Sequence, residues 1–141
     1  MFSPYYAWDG RREPEDHVCI NVSLYNPRGQ RWTMTERGRK ALHRDATSFT
    51  VGPSALQWHG KALILDFDEI SLPWINTHAL PRRIRGSVTV RPSTVTDQVY
   101  DIDAAGAHRW WPIAPDSRIE VDADGVRWSG EGYIDCNWGT R

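Results

Sequence analysis

Two short stretches near the end of the chain carry side chains able to do chemistry together. In Ala107-His108-Arg109-Trp110-Trp111-Pro112, His108 and Trp110 stand two apart, and in Gly132-Tyr133-Ile134-Asp135-Cys136-Asn137 so do Tyr133 and Asp135. On strands, each pair points to one face of a sheet. If the two strands are neighbours around a lumen, one pocket receives an acid, an imidazole, a phenol and an indole. A further strand lies between them in the sequence, so their adjacency is left open. A carboxyl walled by aromatic rings is poorly solvated, tends to hold its proton and can act as a general acid. Indole and phenol faces stabilise a nearby cation by about 0.5–2 kcal/mol each. Together these groups suit the protonation of an alkene and the holding of the resulting carbocation, with His108 orienting Asp135 or a water.

Spacing alone favours structural roles for the same residues. A histidine beside two tryptophans is ordinarily a packed strand residue, and Tyr133 with Asp135 could close a hairpin. Asp66, Asp68 and Glu69 form a second carboxylate cluster of the kind glycosidases use, but a solvated strand face explains them better. The run Arg37, Arg39, Lys40 and Arg44 also reads as solvated surface, while Arg82, Arg83 and Arg85 could touch lipid headgroups.

The elements that must position these groups are strands. Val18, Ile20, Val22 and Leu24 alternate with Cys19, Asn21, Ser23 and Tyr25; Leu63, Leu65 and Phe67 alternate with Asp66 and Asp68; Ile84, Gly86, Val88 and Val90 alternate with Arg83, Arg85, Ser87 and Thr89; Ile119 and Val121 alternate with Arg118, Glu120 and Asp122. A period of two puts one side of each run in a core and the other toward water or a lumen. Turn residues separate the runs at Asn26-Pro27-Arg28-Gly29, His59-Gly60-Lys61 and Asp122-Ala123-Asp124-Gly125. Six to nine short strands at this spacing predict an all-β, meandering antiparallel barrel or sandwich over residues 1–141 as one domain. Glu36–His43 is the one helical candidate, weakened by Gly38, and Leu72–Arg82 reads as a long loop.

Composition narrows the function classes. The chain has 141 residues, a formal charge of -1 and no basic block, so nucleic acid is not an expected partner. No apolar run reaches the length of a membrane helix, and the N-terminus lacks the pattern of a signal peptide. The two cysteines, Cys19 and Cys136, are expected to be reduced in a cytoplasmic protein, with Cys19 in the core. No Cys-x-x-Cys or His-x-x-x-His spacing predicts a metal site. Eight tryptophans are many for this length and imply a dense aromatic core or a lined cavity.

A set of longer motifs adds to this reading. They include Phe2-Ser3-Pro4-Tyr5-Tyr6-Ala7-Trp8, His17-Val18-Cys19-Ile20-Asn21-Val22-Ser23-Leu24-Tyr25, Arg31-Trp32-Thr33-Met34-Thr35-Glu36-Arg37-Gly38 and Val51-Gly52-Pro53-Ser54-Ala55-Leu56. Others are His108-Arg109-Trp110-Trp111-Pro112-Ile113-Ala114-Pro115, Gly132-Tyr133-Ile134-Asp135 and Asn137-Trp138-Gly139. At these residues, over nearly the whole chain, the sequence resembles the acyclic carotenoid 1,2-hydratases, also called hydroxyneurosporene synthases. The resemblance implies a lipocalin-like β fold and cofactor-free addition of water to the terminal double bond of neurosporene- or lycopene-type carotenoids. It implies Asp135 as proton donor, with His108, Trp110 and Tyr133 as its companions. It also implies a longer protein with further strands before and after this segment, and peripheral contact with the inner or intracytoplasmic membrane that holds the substrate. The same residues leave two alternatives: a lipocalin-like carrier of an apolar ligand, and a terpenoid cyclase or isomerase that excludes water. A carbohydrate-binding sandwich is more distant.

Overall fold

The computed structural model describes residues 5–10, 13–26, 29–73 and 80–139. Among these the chain is all-β, as expected. Its strands are β1 (Val18–Asn26), β2 (Gly29–Arg37), β3 (Leu42–Arg44), β4 (Ser48–Val51), β5 (Ser54–His59), β6 (Ala62–Ser71), β7 (Arg82–Pro92), β8 (Tyr100–Asp101), β9 (His108–Ala123) and β10 (Val126–Gly139). They form one antiparallel meander in the order β10-β9-β7-β6-β5-β4-β3. The β1–β2 hairpin joins the far end of β6 through Thr33 and Ser71, and β8 lies against the start of β9. The sheet does not close on itself among the described residues, so β10 is an edge strand.

Alternation builds the core. Leu24 from β1 packs on Phe67, Ile84, Val121 and Ala123 from the inner face of β6, β7 and β9, with Val22, Val88 and Ile119 at its border. The β7–β9 contact is close at Gly86, where a Cβ would lie 2.5 Å from the Asp122 carbonyl oxygen and 2.7 Å from Ala123 Cα. Only a residue without a side chain lets the two backbones approach so nearly. Cys19 is buried, as its place in an alternating run predicts.

Three sequence expectations need correction. Glu36–His43 is not a helix: Glu36 and Arg37 finish β2, Gly38 is extended, and only Arg39–Ala41 makes a 3-10 turn before β3 begins. The competing influence is tertiary. Arg37 is held in the strand by two hydrogen bonds to Glu69, at 3.0 and 2.9 Å.

Glu69 does not belong to a solvated face either. Asp66 is exposed and Asp68 pairs with Arg83, but Glu69 continues the inward register of Leu63, Leu65 and Phe67 and is buried. Besides Arg37, its Oε1 accepts a 2.6 Å hydrogen bond from Ser54 Oγ, whose oxygen in turn accepts the Asp68 backbone N–H. A buried charge of this kind is tolerated only when paired and hydrogen-bonded.

Third, no separate strand divides the His108 stretch from Ile119 and Val121. Both lie on β9, which runs unbroken through Pro112 and Pro115. Its register against β10 slips between Gly132 and Ile134, and again between Ile134 and Cys136. At each slip β9 supplies three residues against two on β10, which is a β-bulge, the place where a strand accommodates proline. The segment after β7 runs alongside and satisfies the carbonyls there: Ser93 N–H donates to Asp116, Thr96 N–H to Ile113 and Thr96 Oγ to Pro112. Within the Leu72–Arg82 loop, residues 74–79 lie outside the described residues, as do Pro27 and Arg28 of the first hairpin turn.

Candidate active site

Because β9 and β10 form one hairpin, the two chemical stretches are direct neighbours. Asp124 and Gly125, both with positive φ (51° and 73°), make the tight turn that starts it. At its far end Asn137 stands opposite Trp110, and Gly139 opposite His108. Opposed residues in an antiparallel pair share a face, so His108, Trp110, Tyr133, Asp135 and Asn137 all belong to one face of the hairpin.

Within that set the structure makes one close cluster. Trp110 Nε1–H donates to Asp135 Oδ2 at 2.9 Å, and Asn137 Nδ2–H donates to the same oxygen at 3.0 Å. Behind Trp110, the ring of Tyr100 on β8 packs at 5.7 Å between centroids. The Tyr100 hydroxyl donates to Gln98 at 2.7 Å. The neighbouring Trp111 turns elsewhere and donates its indole N–H to the Thr96 carbonyl at 2.7 Å, anchoring the bulged segment. His108 makes no side-chain hydrogen bond to Asp135, and Tyr133 stands clear of the cluster, 68% exposed.

The expectation of a walled, lumenal carboxyl is corrected by the same geometry. Asp135 is exposed. Alternation along β10 puts it on the face of Arg127 and Ser129, the polar side of the sheet, while Ile134 and Cys136 continue the face of Val126. As an edge strand, β10 has no layer across from that polar side among the described residues.

Two clefts border this end of the hairpin. One, of about 290 Å³, is apolar: Phe49, Trp58, Leu63, Ile113 and Ile134 line it together with Asp135. The other is open and larger, about 1000 Å³, and carries His108, Asn137 and Trp138 on one side and Tyr6 and Pro14 on the other. Cys136 also borders the apolar cleft, and burial with the adjacent Asp135 charge pushes its thiol above the ordinary range. Across the N-terminal side, the short helix α1 (Tyr5–Trp8) is tied down by His17, whose ring bonds Glu36 at 3.0 Å and Asp9 at 3.3 Å. The Glu36 carboxylate, aided by Asp9, raises the His17 imidazole above its usual value.

Sequence reasoning missed Tyr100 and Asn137. Asn137 was within reach, because it is two residues beyond Asp135 on the same strand. Tyr100 was not, because its contact with Trp110 depends on a two-residue strand that no pattern announces.

Comparison with known proteins shows the family. The sequence model of a family described as carotenoid hydratase CrtC matches residues 1–141. The chain is 48% identical over 146 residues to the acyclic carotenoid 1,2-hydratase of Rubrivivax gelatinosus, covering 99% of this chain and 34% of that protein. It is 49% identical to the protein of the same name from Thiocapsa roseopersicina, again covering 99% of this chain and 34% of the relative. Against that of Cereibacter sphaeroides it is 45% identical over 141 residues, covering 99% of this chain and 48% of the relative. The chain thus spans about a third to a half of the length of the curated relatives it matches. No solved structure matches it.

Proposed function

Since the chain belongs to the carotenoid hydratase CrtC family, we propose that the protein carrying it adds water to the terminal 1,2 double bond of an acyclic carotenoid such as neurosporene or lycopene. The observation that carries this reading is the Asp135 carboxyl, held by Trp110 and Asn137 at the border of an apolar cleft. In this reading a polyene end takes the apolar cleft, and water comes from the open cleft that His108 and Asn137 line.

The reaction needs no cofactor. Protonated Asp135 gives its hydrogen to the outer alkene carbon, and the charge falls on the more substituted carbon as a tertiary cation. Electron-rich faces of Trp110 and Tyr133 stabilise that cation, more strongly once substrate has displaced water. A water on the His108 side attacks it, and the oxonium proton returns to the Asp135 carboxylate. The product is a tertiary alcohol and the acid is regenerated.

A lipocalin-like closure of the sheet in the longer protein, and a peripheral position on the cytoplasmic side of the membrane that dissolves the substrate, complete the proposal. The test is Asp135→Asn, which keeps the shape and the hydrogen-bond face but removes the transferable proton. Hydroxylated product should disappear while carotenoid binding, followed by the polyene absorbance shift, persists. Undiminished turnover would remove Asp135 from the mechanism. Binding without turnover by the unaltered protein would favour the carrier reading.

A further inference from the structure

The Asp135 carboxyl is held asymmetrically, and the asymmetry assigns different work to its two oxygens. Both neighbouring donors, Trp110 Nε1–H and Asn137 Nδ2–H, converge on Oδ2, at 2.9 and 3.0 Å. Oδ1 accepts no hydrogen bond from the described residues. We propose that Asn137 is a positioning residue for the hydration. With Trp110 it clamps Oδ2, so that Oδ1 is the atom that delivers the proton to the alkene and takes it back.

Three physical points carry this. First, an oxygen that already accepts two N–H groups is the poor place for a hydroxyl hydrogen, which would face those donors; the proton of the neutral acid therefore sits on Oδ1. Second, as the proton leaves, negative charge spreads over the carboxylate. Two fixed donors aimed at Oδ2 stabilise that charge without any rearrangement at the moment of transfer. An alkene is a weak base, so support of the conjugate base is what its protonation needs from the acid's surroundings. Third, the clamp is built into the sheet. Asn137 is the cross-strand partner of Trp110 and two residues from Asp135, so the three side chains form a triangle on one face whose corners are set by register. The amide must present its NH2, because its carbonyl oxygen would repel Oδ2.

This inference rests on Asp135 being the proton donor. The experiment is steady-state kinetics on the protein carrying this chain, with Asp135→Asn measured beside Asn137→Leu, Asn137→Asp and Asn137→Gln. Loss of one hydrogen bond to a group that becomes charged should lower kcat about tenfold in Asn137→Leu. KM and carotenoid binding should stay within about twofold. Asn137→Asp, which keeps the shape but sets an anion against Oδ2, should fall below Asn137→Leu. Asn137→Gln, which keeps the donor, should recover most of the rate. A purely structural asparagine would instead lower the folded fraction and binding in all three variants. If Asp135→Asn is inactive while Asn137→Leu keeps kcat within twofold of wild type, or if Gln is no better than Leu, the role of Asn137 is wrong and that of Asp135 stands. If Asp135→Asn remains active, or the unaltered protein shows no turnover, the reading beneath it fails as well.

Discussion

Replacing Arg37 by Met should destabilise the fold far more than removing an ordinary strand arginine. Glu69 has 0% of its side chain exposed and Arg37 only 17%, and the two share a pair of hydrogen bonds. Without the guanidinium, Glu69 keeps a buried charge with Ser54 Oγ as its remaining side-chain donor. Breaking a buried pair from one side costs about 3–5 kcal/mol, most of it the desolvation of the partner left behind. Against a total stability of about 5–15 kcal/mol, that is a large fraction. In urea, with a slope of about 2 kcal/mol per molar, the midpoint should fall by about 2 M at unchanged slope. The double variant Arg37→Met with Glu69→Leu removes both charges and fills the space with carbon. It should regain most of the loss, because the pair itself contributes little beyond what its desolvation costs. Equilibrium unfolding followed by tryptophan fluorescence measures both. A single variant within about 1 kcal/mol of wild type, or a double variant no better than the single, would refute the reasoning.

Two further outcomes follow from contacts elsewhere in the sheet. Gly86→Ala should lose about 1–3 kcal/mol, since its methyl would meet backbone atoms of Asp122 and Ala123 that cannot rotate away; a thermal midpoint unchanged within a degree would show that the strands can separate freely. The tether of α1 should be pH-dependent. His17 has a raised imidazole value, so the stability that its charge contributes is complete below its ordinary value of 6.5 and is lost as pH rises through the raised one. Amide exchange over Tyr5–Asp9, corrected for its intrinsic pH dependence, should accelerate across that window and lose the extra pH dependence in His17→Gln. Equal protection on both sides of the window would exclude the tether.

Much of this architecture was legible in the sequence because a period of two is a direct record of faces. The runs at Val18–Leu24, Leu63–Phe67 and Ile84–Val90 became β1, β6 and β7, and the pairing of His108 with Trp110 and of Tyr133 with Asp135 on one face followed from the same rule. Applied one step further, the rule would have sent Glu69 inward with Phe67 and put Asn137 beside Asp135. What local pattern could not supply was contact between distant segments. Arg37 and Glu69 are 32 residues apart, and it is their ion pair, not helix propensity, that decides the conformation after Thr35. The continuity of β9 was equally out of reach of local pattern: proline ordinarily ends a strand, but here the bulges absorb Pro112 and Pro115, and Ser93 and Thr96 donate to the carbonyls. Enclosure of the carboxyl was also beyond reach, since solvent access depends on what lies opposite a sheet and not on the residues within a strand.

The two irregularities in β9 act as a pair. One surplus residue turns every side chain upstream of it over to the opposite side; a second turns them back. With both in place, Trp110 looks the same way as Asp135, away from the core. With both bulges kept, deleting a single residue between Trp111 and Ser117 would swing His108 and Trp110 to the wrong side. Deleting the two surplus residues together with their bulges would leave four residues against four between the Ser117–Gly132 and Trp110–Asn137 pairs, so Trp110 would still stand opposite Asn137. The parity of an insertion, more than its size, decides whether an acid and an indole ever meet.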